Sequence, residues 1–499
     1  MSGTFVVASD LGTGGCKTLV VDERGMVVAS AQAEYPTFYP RPGWCEQRPQ
    51  DWLDAVGATV RAALARAGAR PAQIAAFGLV GVTHNAVLLD AGGRPLRPSI
   101  IFYDTRSRAE SDELGARWGG EILRRTCNGI SPLWTWSQLE WVKRHEPEVW
   151  AATRLILFQK DYVRHCLAPS PVSDLIDVEG SLLFDPLANE WVGDFIGDLG
   201  LSPAALPGVV YPADVVGHID ARGAELSGLP VGTPVVAGTT DTAAEMFGAG
   251  ALRPRQGMVK LASVGRIASV ASAPLGHPHL LNYRHVVAGL WYPGTACKHA
   301  ASSYRWLRDV MWGDTAYQVM DAAAASVSAG CDGLLFHPHL QGEWVPYWDD
   351  RLRGDFVGLT MRHGRPHLTR AVMEGVACAL RVGVQYMEAL GLPFDEIRLV
   401  GQGATSRLWA HIVADTLNRP LVVPVERDAA YGGALIARMG SGLFPSDVDA
   451  LAGLIRIEAC LEPDPARARL YDELFAIYQE ADQALACIAH RLTAFEHGR

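Results

Sequence analysis

The sequence has few of the features that mark a secreted or membrane-bound protein. Its nine cysteines are scattered over 499 residues without a Cys-x-x-Cys pair, so neither a disulfide framework nor a zinc ribbon is predicted. No run approaches the roughly 18 apolar residues of a membrane span. The first residues have no basic segment followed by a long apolar stretch, which argues against a signal peptide. We expect a cytoplasmic protein with reduced thiols and no membrane contact.

An excess of positive charge is also missing. The chain carries 54 acidic and 44 basic residues, a formal net charge of -10. A protein that binds nucleic acid by neutralising phosphates is therefore not expected. A single nucleotide stays compatible with this charge, because its site needs only local donors and a metal. The oligomeric state is left open, with a homodimer as the working expectation.

The length and the order of the predicted elements indicate two domains. A chain of 499 residues exceeds what one hydrophobic core usually supports. Apolar runs at 5–8 and 19–21 flank a turn cluster, and a similar strand-turn-strand pattern recurs over 258–271. Helical spacing at other positions completes an α/β pattern, with a ligand cleft expected between the two halves. The predicted domains are 1–248 and 249–499.

The first turn cluster, Asp10-Leu11-Gly12-Thr13-Gly14-Gly15-Cys16-Lys17-Thr18, suits phosphate binding. Its glycines let backbone amides approach phosphate oxygens, while Thr13 and Lys17 add a hydroxyl and a charge. It does not fit a Walker A loop, which should lead into a helix, because the residues after it alternate like a strand. An ordinary glycine-rich hairpin is the alternative interpretation.

Asp241 lies where a predicted strand, 234–237, gives way to a predicted helix, 242–247. An aspartate at that point often serves as a helix N-cap. It is equally placed to act as a base, since the carboxyl ends of strands in α/β folds face the ligand crevice. A helix N-terminus favours the ionised carboxylate.

A third loop, Gly401-Gln402-Gly403-Ala404-Thr405-Ser406, follows a predicted strand and precedes a predicted helix. It is a weak match to a dinucleotide-binding loop, because position 406 is Ser and the loop lies late in the chain. A nicotinamide enzyme is therefore a minor alternative. His337, His339 and Glu343 match no zinc spacing, so no metal site is predicted there.

Polar residues also follow two further strands. Thr83 and His84 come after the strand 76–82, and Asp104 follows the strand 99–102. His84 is a candidate donor to a sugar hydroxyl, with a turn histidine bonded to backbone as the alternative. Asp104 is a candidate sugar ligand, and a surface ion pair with Arg106 is the alternative.

Taken together, these segments resemble the FGGY carbohydrate kinases, which share the sugar kinase, Hsp70 and actin fold of ribonuclease H-like domains. The resemblance runs from about residue 4 to about residue 480. Besides the loops above, it rests on a set of motifs in the family's order: Gly43-Trp44-Cys45-Glu46-Gln47 with Asp51-Trp52, Lys160-Asp161-Tyr162, and Gly342-Glu343, Pro346, Asp349, Arg353-Gly354 and Gly358-Leu359.

The resemblance implies ATP-dependent phosphorylation of a small open-chain carbohydrate, with Asp241 as the base and Mg²⁺ near Asp10. It implies an N-terminal domain that binds sugar and a C-terminal domain that binds nucleotide. Sugar-binding roles fall on Thr83, His84, Asp104 and Thr242. Nucleotide-binding roles fall on Thr13, Gly14, Lys17, Ser263, Gly265, Gly401, Gly403 and Ala404.

The identity of the sugar is less well determined by the resemblance. D-Xylulose is the first expectation, but relatives that use it usually carry Met before the histidine and Asn after the base, where this chain has Thr83 and Thr242. The second phosphate loop is Ala262-Ser263-Val264, where the family usually has Gly-Thr-Ser. L-Xylulose, ribulose, erythritol and glycerol stay open as substrates. An ATPase of the actin or Hsp70 kind, without sugar transfer, is the alternative from another class.

Overall fold

The computed structural model describes residues 4–443 and 447–497, and these residues pack as two compact units. The chain leaves unit 1 and returns to it twice. Unit 1 contains the described residues of Met1–Leu252, Ser272–Trp291 and Glu426–Ile455, and unit 2 contains those of Arg253–Ala271, Tyr292–Val425 and Arg456–Arg499.

Unit 1 is built on a seven-stranded mixed sheet. Its strands are β1 (Phe5–Leu11), β2 (Gly15–Asp22), β3 (Val27–Glu34), β4 (Ile74–Gly81), β5 (Val215–His218), β6 (Pro234–Val236) and β7 (Thr239–Thr240). The order is β5-β6-β4-β1-β2-β3, and β7 pairs with β4 after β6. From β3 inward the pairings are antiparallel, antiparallel, parallel, parallel and antiparallel.

Unit 2 repeats this topology in a six-stranded sheet. Its strands are β8 (Gln256–Leu261), β9 (Gly265–Ser269), β10 (Gly294–Cys297), β11 (Glu396–Val400), β12 (Leu421–Pro424) and β13 (Ile457–Leu461). From β10, in the order β10-β9-β8-β11-β12-β13, the pairings are again antiparallel, antiparallel, parallel, parallel and antiparallel. The predicted two-domain α/β organisation, with a strand-turn-strand opening in each half, is confirmed.

Helices cover the sheets, and none in the described part of the chain is long and apolar enough to cross a membrane. They are α1 (Pro49–Ala67), α2 (Arg108–Thr126), α3 (Thr135–His145), α4 (Pro147–Ala152), α5 (Gln159–Leu167), α6 (Gly193–Leu199), α7 (Ala221–Ser227), α8 (Asp241–Ala249), α9 (Ala301–Leu307), α10 (Tyr317–Ala325), α11 (Arg365–Ala389), α12 (Arg407–Leu417), α13 (Ala429–Gly440), α14 (Val448–Ala452) and α15 (Pro465–His497). Short ladders join 46–47 to 99–100, 86–89 to 155–158, 172–174 to 208–210, 184–185 to 190–191 and 335–337 to 355–357.

The alternation of side chains along β1 determines which helices pack on each face of the unit 1 sheet. Val7 and Leu11 face α1, which contributes the buried Trp52, Val56 and Val60 to one hydrophobic cluster. Val6 and Ala8 face the opposite way, into a second cluster that includes residues of α8 and α13. Each fully buried side chain of this kind contributes roughly 1.5–3 kcal/mol, so both faces of the sheet are firmly held. Asp10 continues the second face.

Candidate active site

Three strand ends meet at one edge of the unit 1 sheet, which we call the unit 1 edge. On β4, Val80 pairs with Asp10 of β1 on one side and with Thr239 of β7 on the other. Because neighbouring strands lie about 4.8 Å apart, the backbones of Asp10 and Thr239 are separated by about 10 Å. Leu11 and Thr240 flank Gly81 in the same way, and Asp241 follows directly. The parallel register therefore brings Asp10 and Asp241 to the same edge.

The first loop is a β-hairpin with an exposed tip, and hydrogen bonds to the carbonyls of its turn residues hold it in place. The N–H of Gly12 donates to the carbonyl of Gly15 at 3.0 Å, and β2 follows as a strand. The Gln47 amide donates to the carbonyl of Thr13 at 2.7 Å, and the Tyr35 hydroxyl donates to that of Gly12. Thr13 and Gly14 are exposed. The hairpin confirms that this loop does not lead into the helix of a Walker A motif.

Lys17 lies directly opposite Asp10 in the hairpin, so the two side chains share a face of the sheet. Its ammonium group forms an ion pair with Asp428 at 2.5 Å, and both side chains are about one-third exposed. Asp428 is the residue before the first turn of α13 but accepts no capping hydrogen bond there. The predicted phosphate ligand Lys17 thus has a carboxylate partner that comes from 411 positions further along the chain.

Asp241 is the first residue of α8, and Thr240 is the N-cap. The Thr240 hydroxyl accepts a hydrogen bond from the Ala243 N–H at 3.4 Å. Oδ1 of Asp241 accepts bonds from the N–H and hydroxyl of Thr242, at 2.6 and 3.3 Å. Both bonds go to Oδ1, and the residue is only partly buried. The N-cap role considered for Asp241 therefore belongs to its neighbour.

His84 is held in a left-handed backbone conformation, with φ of 48°. Its N–H donates to Oδ1 of Asp177 at 2.7 Å, and its carbonyl accepts from the Thr135 hydroxyl at 2.7 Å. The ring lies 5.2 Å from the Trp134 ring and directly against Gly180, where an added Cβ would fall 2.5 Å from it. A glycine is thus required beneath this histidine.

The environment of the His84 ring fixes its charge state. The residue is 1% exposed, and this burial lowers the pKa of the imidazole to about 3. Its Nδ1 has no hydrogen-bond partner among the described residues. A neutral imidazole offers one donor and one acceptor nitrogen, which suits contact with a hydroxyl-bearing ligand. Thr83 precedes it and is partly exposed.

Asp104 is fully enclosed by protein donors. Its carboxylate receives the Arg106 guanidinium at 2.7 Å and the Cys45 N–H at 2.5 Å. Both acid and arginine are at most 1% exposed at their side chains, and the guanidinium stacks on Trp44 at 3.8 Å. The ion pair considered from the sequence is present, but it is buried rather than on the surface. Thr242, by contrast, is partly exposed beside Asp241.

Unit 2 presents an equivalent pair of loops at the carboxyl ends of β8 and β11. Leu261 and Gly265 pair across a three-residue hairpin loop, 262–264. Lys260 pairs with Val400 on the parallel strand, so Gly401 lies level with Leu261. Gly401 has φ of 86°, and a Cβ there would lie 2.7 Å from the Leu261 carbonyl oxygen. The two glycine-containing loops are therefore in direct contact.

The remaining predicted nucleotide residues lie in these two loops. Gly403 also packs on Leu261, where an added Cβ would fall 2.5 Å from the side chain, and Ala404 is buried. Ser263 is exposed, and its carbonyl accepts bonds from Ala300 and Ser302. Its hydroxyl accepts from Arg305 at 3.3 Å. Arg305 was missed by the sequence reasoning, since only the fold brings α9 to this loop.

His337, His339 and Glu343, discounted as zinc ligands, have structural roles. His337 bonds to Asp355 at 2.7 Å, and His339 bonds to Asp482 at 3.1 Å. Although burial alone would lower it, hydrogen bonding to Asp482 and Glu343 raises the pKa of His339 to about 9. These groups tie α15 to the rest of unit 2.

Comparison with known proteins identifies the family. Residues 5–248 match the N-terminal domain of the FGGY family of carbohydrate kinases, and residues 269–441 match its C-terminal domain. A xylulose kinase of Escherichia coli K12 is 31% identical, over 93% of this chain and 96% of that protein. A xylulose kinase of Lactococcus lactis is 28% identical, over 99% of each chain.

Solved structures agree with the sequence comparison. The crystal structure of xylulose kinase from Rhodospirillum rubrum superposes with a TM-score of 0.87 at 31% identity, and covers 97% of this chain and 100% of that chain. The match covers both units, so the similarity is not limited to one domain. The chain belongs to the FGGY family of carbohydrate kinases.

Proposed function

We propose that this carbohydrate kinase transfers the γ-phosphoryl group of ATP to the terminal hydroxyl of D-xylulose, forming D-xylulose 5-phosphate. The observation that carries the chemistry is the partly exposed carboxylate of Asp241 at the unit 1 edge, whose Oδ1 is held by the N–H and hydroxyl of Thr242. The choice of sugar rests on the relatives at 28–31% identity that are named xylulose kinase. A general base must be able to reach the hydroxyl proton that it accepts, which a partly exposed carboxylate at a strand end allows.

The sugar is expected at the unit 1 edge. His84, neutral at physiological pH, supplies one donor and one acceptor nitrogen to sugar hydroxyls. Thr242 adds a hydroxyl group beside the base, and Thr83 adds one directly before His84. The carboxylate of Asp104 already accepts bonds from Arg106 and from the Cys45 N–H. We therefore expect Asp104 mainly to hold Cys45 and Arg106 in place, and less to bind the sugar directly.

Each unit has one hairpin that is proposed as a phosphate-binding loop. Thr13, Gly14 and Lys17 of the first hairpin would meet the β- and γ-phosphates, with exposed amides at the tip available as donors. Ser263 and Gly265 form the second phosphate loop. Gly401, Gly403 and Ala404 would pack against the adenosine, where the absence of bulky side chains lets the ligand approach the backbone.

Mg²⁺ fits the donor set at the unit 1 edge. The ion prefers hard oxygen ligands and is commonly held by one or two carboxylates together with substrate phosphates. Asp10 supplies such a carboxylate, on the same edge as Asp241. When bound, the ion would neutralise part of the charge on the transferring phosphoryl group.

The chain's own residues then account for the transfer. The terminal hydroxyl oxygen of the sugar attacks the γ-phosphorus, the bond to the β-phosphate oxygen breaks, and ADP leaves. Asp241 orients the hydroxyl and accepts its proton late, because the transition state is loose. Most of the rate enhancement comes from alignment and from donors placed around the phosphates.

A different small ketose or polyol is the alternative substrate, and a specific feature favours testing it. Thr83 and Thr242 stand where Met and Asn are expected in relatives that use D-xylulose. Thr242 puts a short hydroxyl side chain beside the base, and Thr83 puts one directly before His84, so both differences fall next to residues proposed to contact the sugar.

ADP release from ATP and Mg²⁺ across a sugar panel tests the proposal. The panel contains D-xylulose, L-xylulose, ribulose, erythritol, glycerol and gluconate, each with a no-sugar control. The largest kcat/KM is expected with D-xylulose. A larger value with another sugar would reassign the substrate, and hydrolysis that ignores every sugar would favour an ATPase of the actin or Hsp70 kind.

A further inference from the structure

A buried lysine lies at the centre of an ion cluster beneath the unit 1 edge. Lys160, in the first turn of α5, has no exposed side-chain surface. Its ammonium nitrogen lies 2.6 Å from Asp161, 2.7 Å from Asp174 and 3.3 Å from Asp177. The ammonium group donates a hydrogen bond to Oδ1 of Asp161, while Oδ2 of Asp174 and Oδ2 of Asp177 lie within ion-pair distance.

The other carboxylate oxygens of Asp174 and Asp177 accept hydrogen bonds from two different parts of the proposed sugar site. Oδ1 of Asp177 accepts the His84 N–H at 2.7 Å and the Thr83 hydroxyl at 3.5 Å. Oδ1 of Asp174 accepts the Thr239 hydroxyl at 2.9 Å. Thr239 is in β7, two residues before Asp241. One ammonium group thus links the loop that carries His84 to β7, the strand that leads directly into Asp241.

The cluster is held together by charge in a dry environment. Burial disfavours the charged lysine, but attraction to Asp161, Asp174 and Asp177 outweighs it and raises the lysine pKa. Arg164, also fully buried, bonds to Asp161 at 3.1 Å. Removing the ammonium would leave buried carboxylates uncompensated, which is strongly unfavourable. The positions of the His84 loop and of β7 therefore depend on the Lys160 ammonium group, which contacts Asp174 and Asp177 and is itself fully buried.

We propose that Lys160 is a positioning residue that fixes the sugar-contacting loop Thr83–His84 and the base-carrying segment 239–241 relative to each other, through Asp177 and Asp174. The assignment rests on the proposed function for its catalytic consequence, but the structural link can be tested without any substrate. Lys160 acts through the two aspartates and makes no contact with reacting atoms.

The substrate-free test is amide hydrogen exchange of the full chain. In Lys160→Met, the amides of residues 82–85 and of 239–243 are expected to exchange faster together, at least about 10-fold, because the opening free energy of both falls. Amides of α15, in the other unit, serve as the internal control. Unchanged exchange at either segment in a folded variant would overturn the link.

A milder variant covers the case in which Lys160→Met does not fold. Thr239→Val removes only the hydroxyl bond to Asp174, and Thr239→Ser keeps it. With the best sugar of the panel, Thr239→Val is expected to lower kcat by about 10- to 100-fold, since small misplacements of a base are costly. The KM for ATP should stay within about two-fold, and Thr239→Ser should restore kcat.

The outcomes separate the two proposals. A fall in melting temperature with unchanged kcat in Thr239→Val would mean that the cluster has only a structural role, which overturns the positioning assignment. If no sugar stimulates the wild type, the proposed function fails, and faster exchange at both segments would still support the link.

Discussion

The hydroxyl of Thr240, and not the carboxylate of Asp241, caps the amino terminus of α8. Loss of an N-cap hydroxyl costs about 1 kcal/mol, whereas a charge in the first turn contributes only a few tenths at an exposed site. Thr240→Ala should therefore lower the free energy of unfolding by about 1 kcal/mol, and Asp241→Asn by clearly less. Urea denaturation of the two variants checks this order, and the reverse order would return the capping role to Asp241.

Gly401 should be intolerant of a side chain for two reasons, its φ of 86° and the nearby Leu261 carbonyl. Gly391 is a matched control, because it has φ of 84° but nothing within 4 Å of an added Cβ. The backbone strain alone costs roughly 1–2 kcal/mol, so Gly391→Ala should lose about that much and keep its KM for ATP. Gly401→Ala should lose more and raise that KM. Equal effects at the two positions would argue against a nucleotide role for the loop.

Substitutions of Lys17 and of its ion-pair partner Asp428 should have different effects on the KM for ATP. Both side chains are about one-third exposed, so breaking the pair should cost no more than about 1 kcal/mol. A charged hydrogen bond to phosphate is worth about 1.5–3 kcal/mol. Lys17→Met should thus raise the KM for ATP about 10-fold or more, while Asp428→Asn should leave it within about two-fold. An equal increase in the KM for ATP in both variants would mean that Lys17 acts only through its ion pair with Asp428 and does not bind phosphate.

Burial of His84 should contribute a pH dependence to stability. The folded-state pKa is about 3, against about 6.5 in an unfolded chain. As the pH falls below 6.5, the unfolded state therefore binds a proton that the folded state does not, and stability is lost by up to about 1.4 kcal/mol per pH unit. His84→Asn, which suits a positive φ, removes this loss.

The measurement is the difference in unfolding free energy between wild type and His84→Asn at pH 7, 5.5 and 4.5. The difference should shrink as the pH falls. Asp177, whose pKa burial raises to about 7, contributes in the opposite direction over the same range, but it is present in both proteins and cancels. A constant difference would show that His84 is accessible to protons in the folded protein.

Local sequence patterns predicted the framework of the fold correctly. The runs around Asp10 and Ser263 predicted two strand-turn-strand units, and both are hairpins at the corresponding place in their sheets. The strand character after Lys17 was enough to reject a Walker A loop. These features are local, because side-chain alternation and turn residues act over a few positions.

What the sequence did not reveal depends on contacts between distant residues. Asp428 reaches Lys17 from 411 positions away, and Lys160 meets Asp174 and Asp177 only after the chain folds back. Asp104 with Arg106 was a possible surface pair from spacing alone, but the fold buries it, with the guanidinium stacked on Trp44 and close to Trp141. The assignments of ligand roles to individual residues, and the domain boundary at 248, stay predictions.

The central claim is that Asp241 is the base for phosphoryl transfer to the sugar. Its most direct test is D-xylulose-stimulated ADP release by Asp241→Asn, with ATP affinity measured on the same preparation. We expect kcat to fall by at least about 10³-fold, because both the orientation of the hydroxyl and its proton acceptor are lost. ATP affinity should change little. Turnover near the wild-type rate, with the variant folded, would contradict the account.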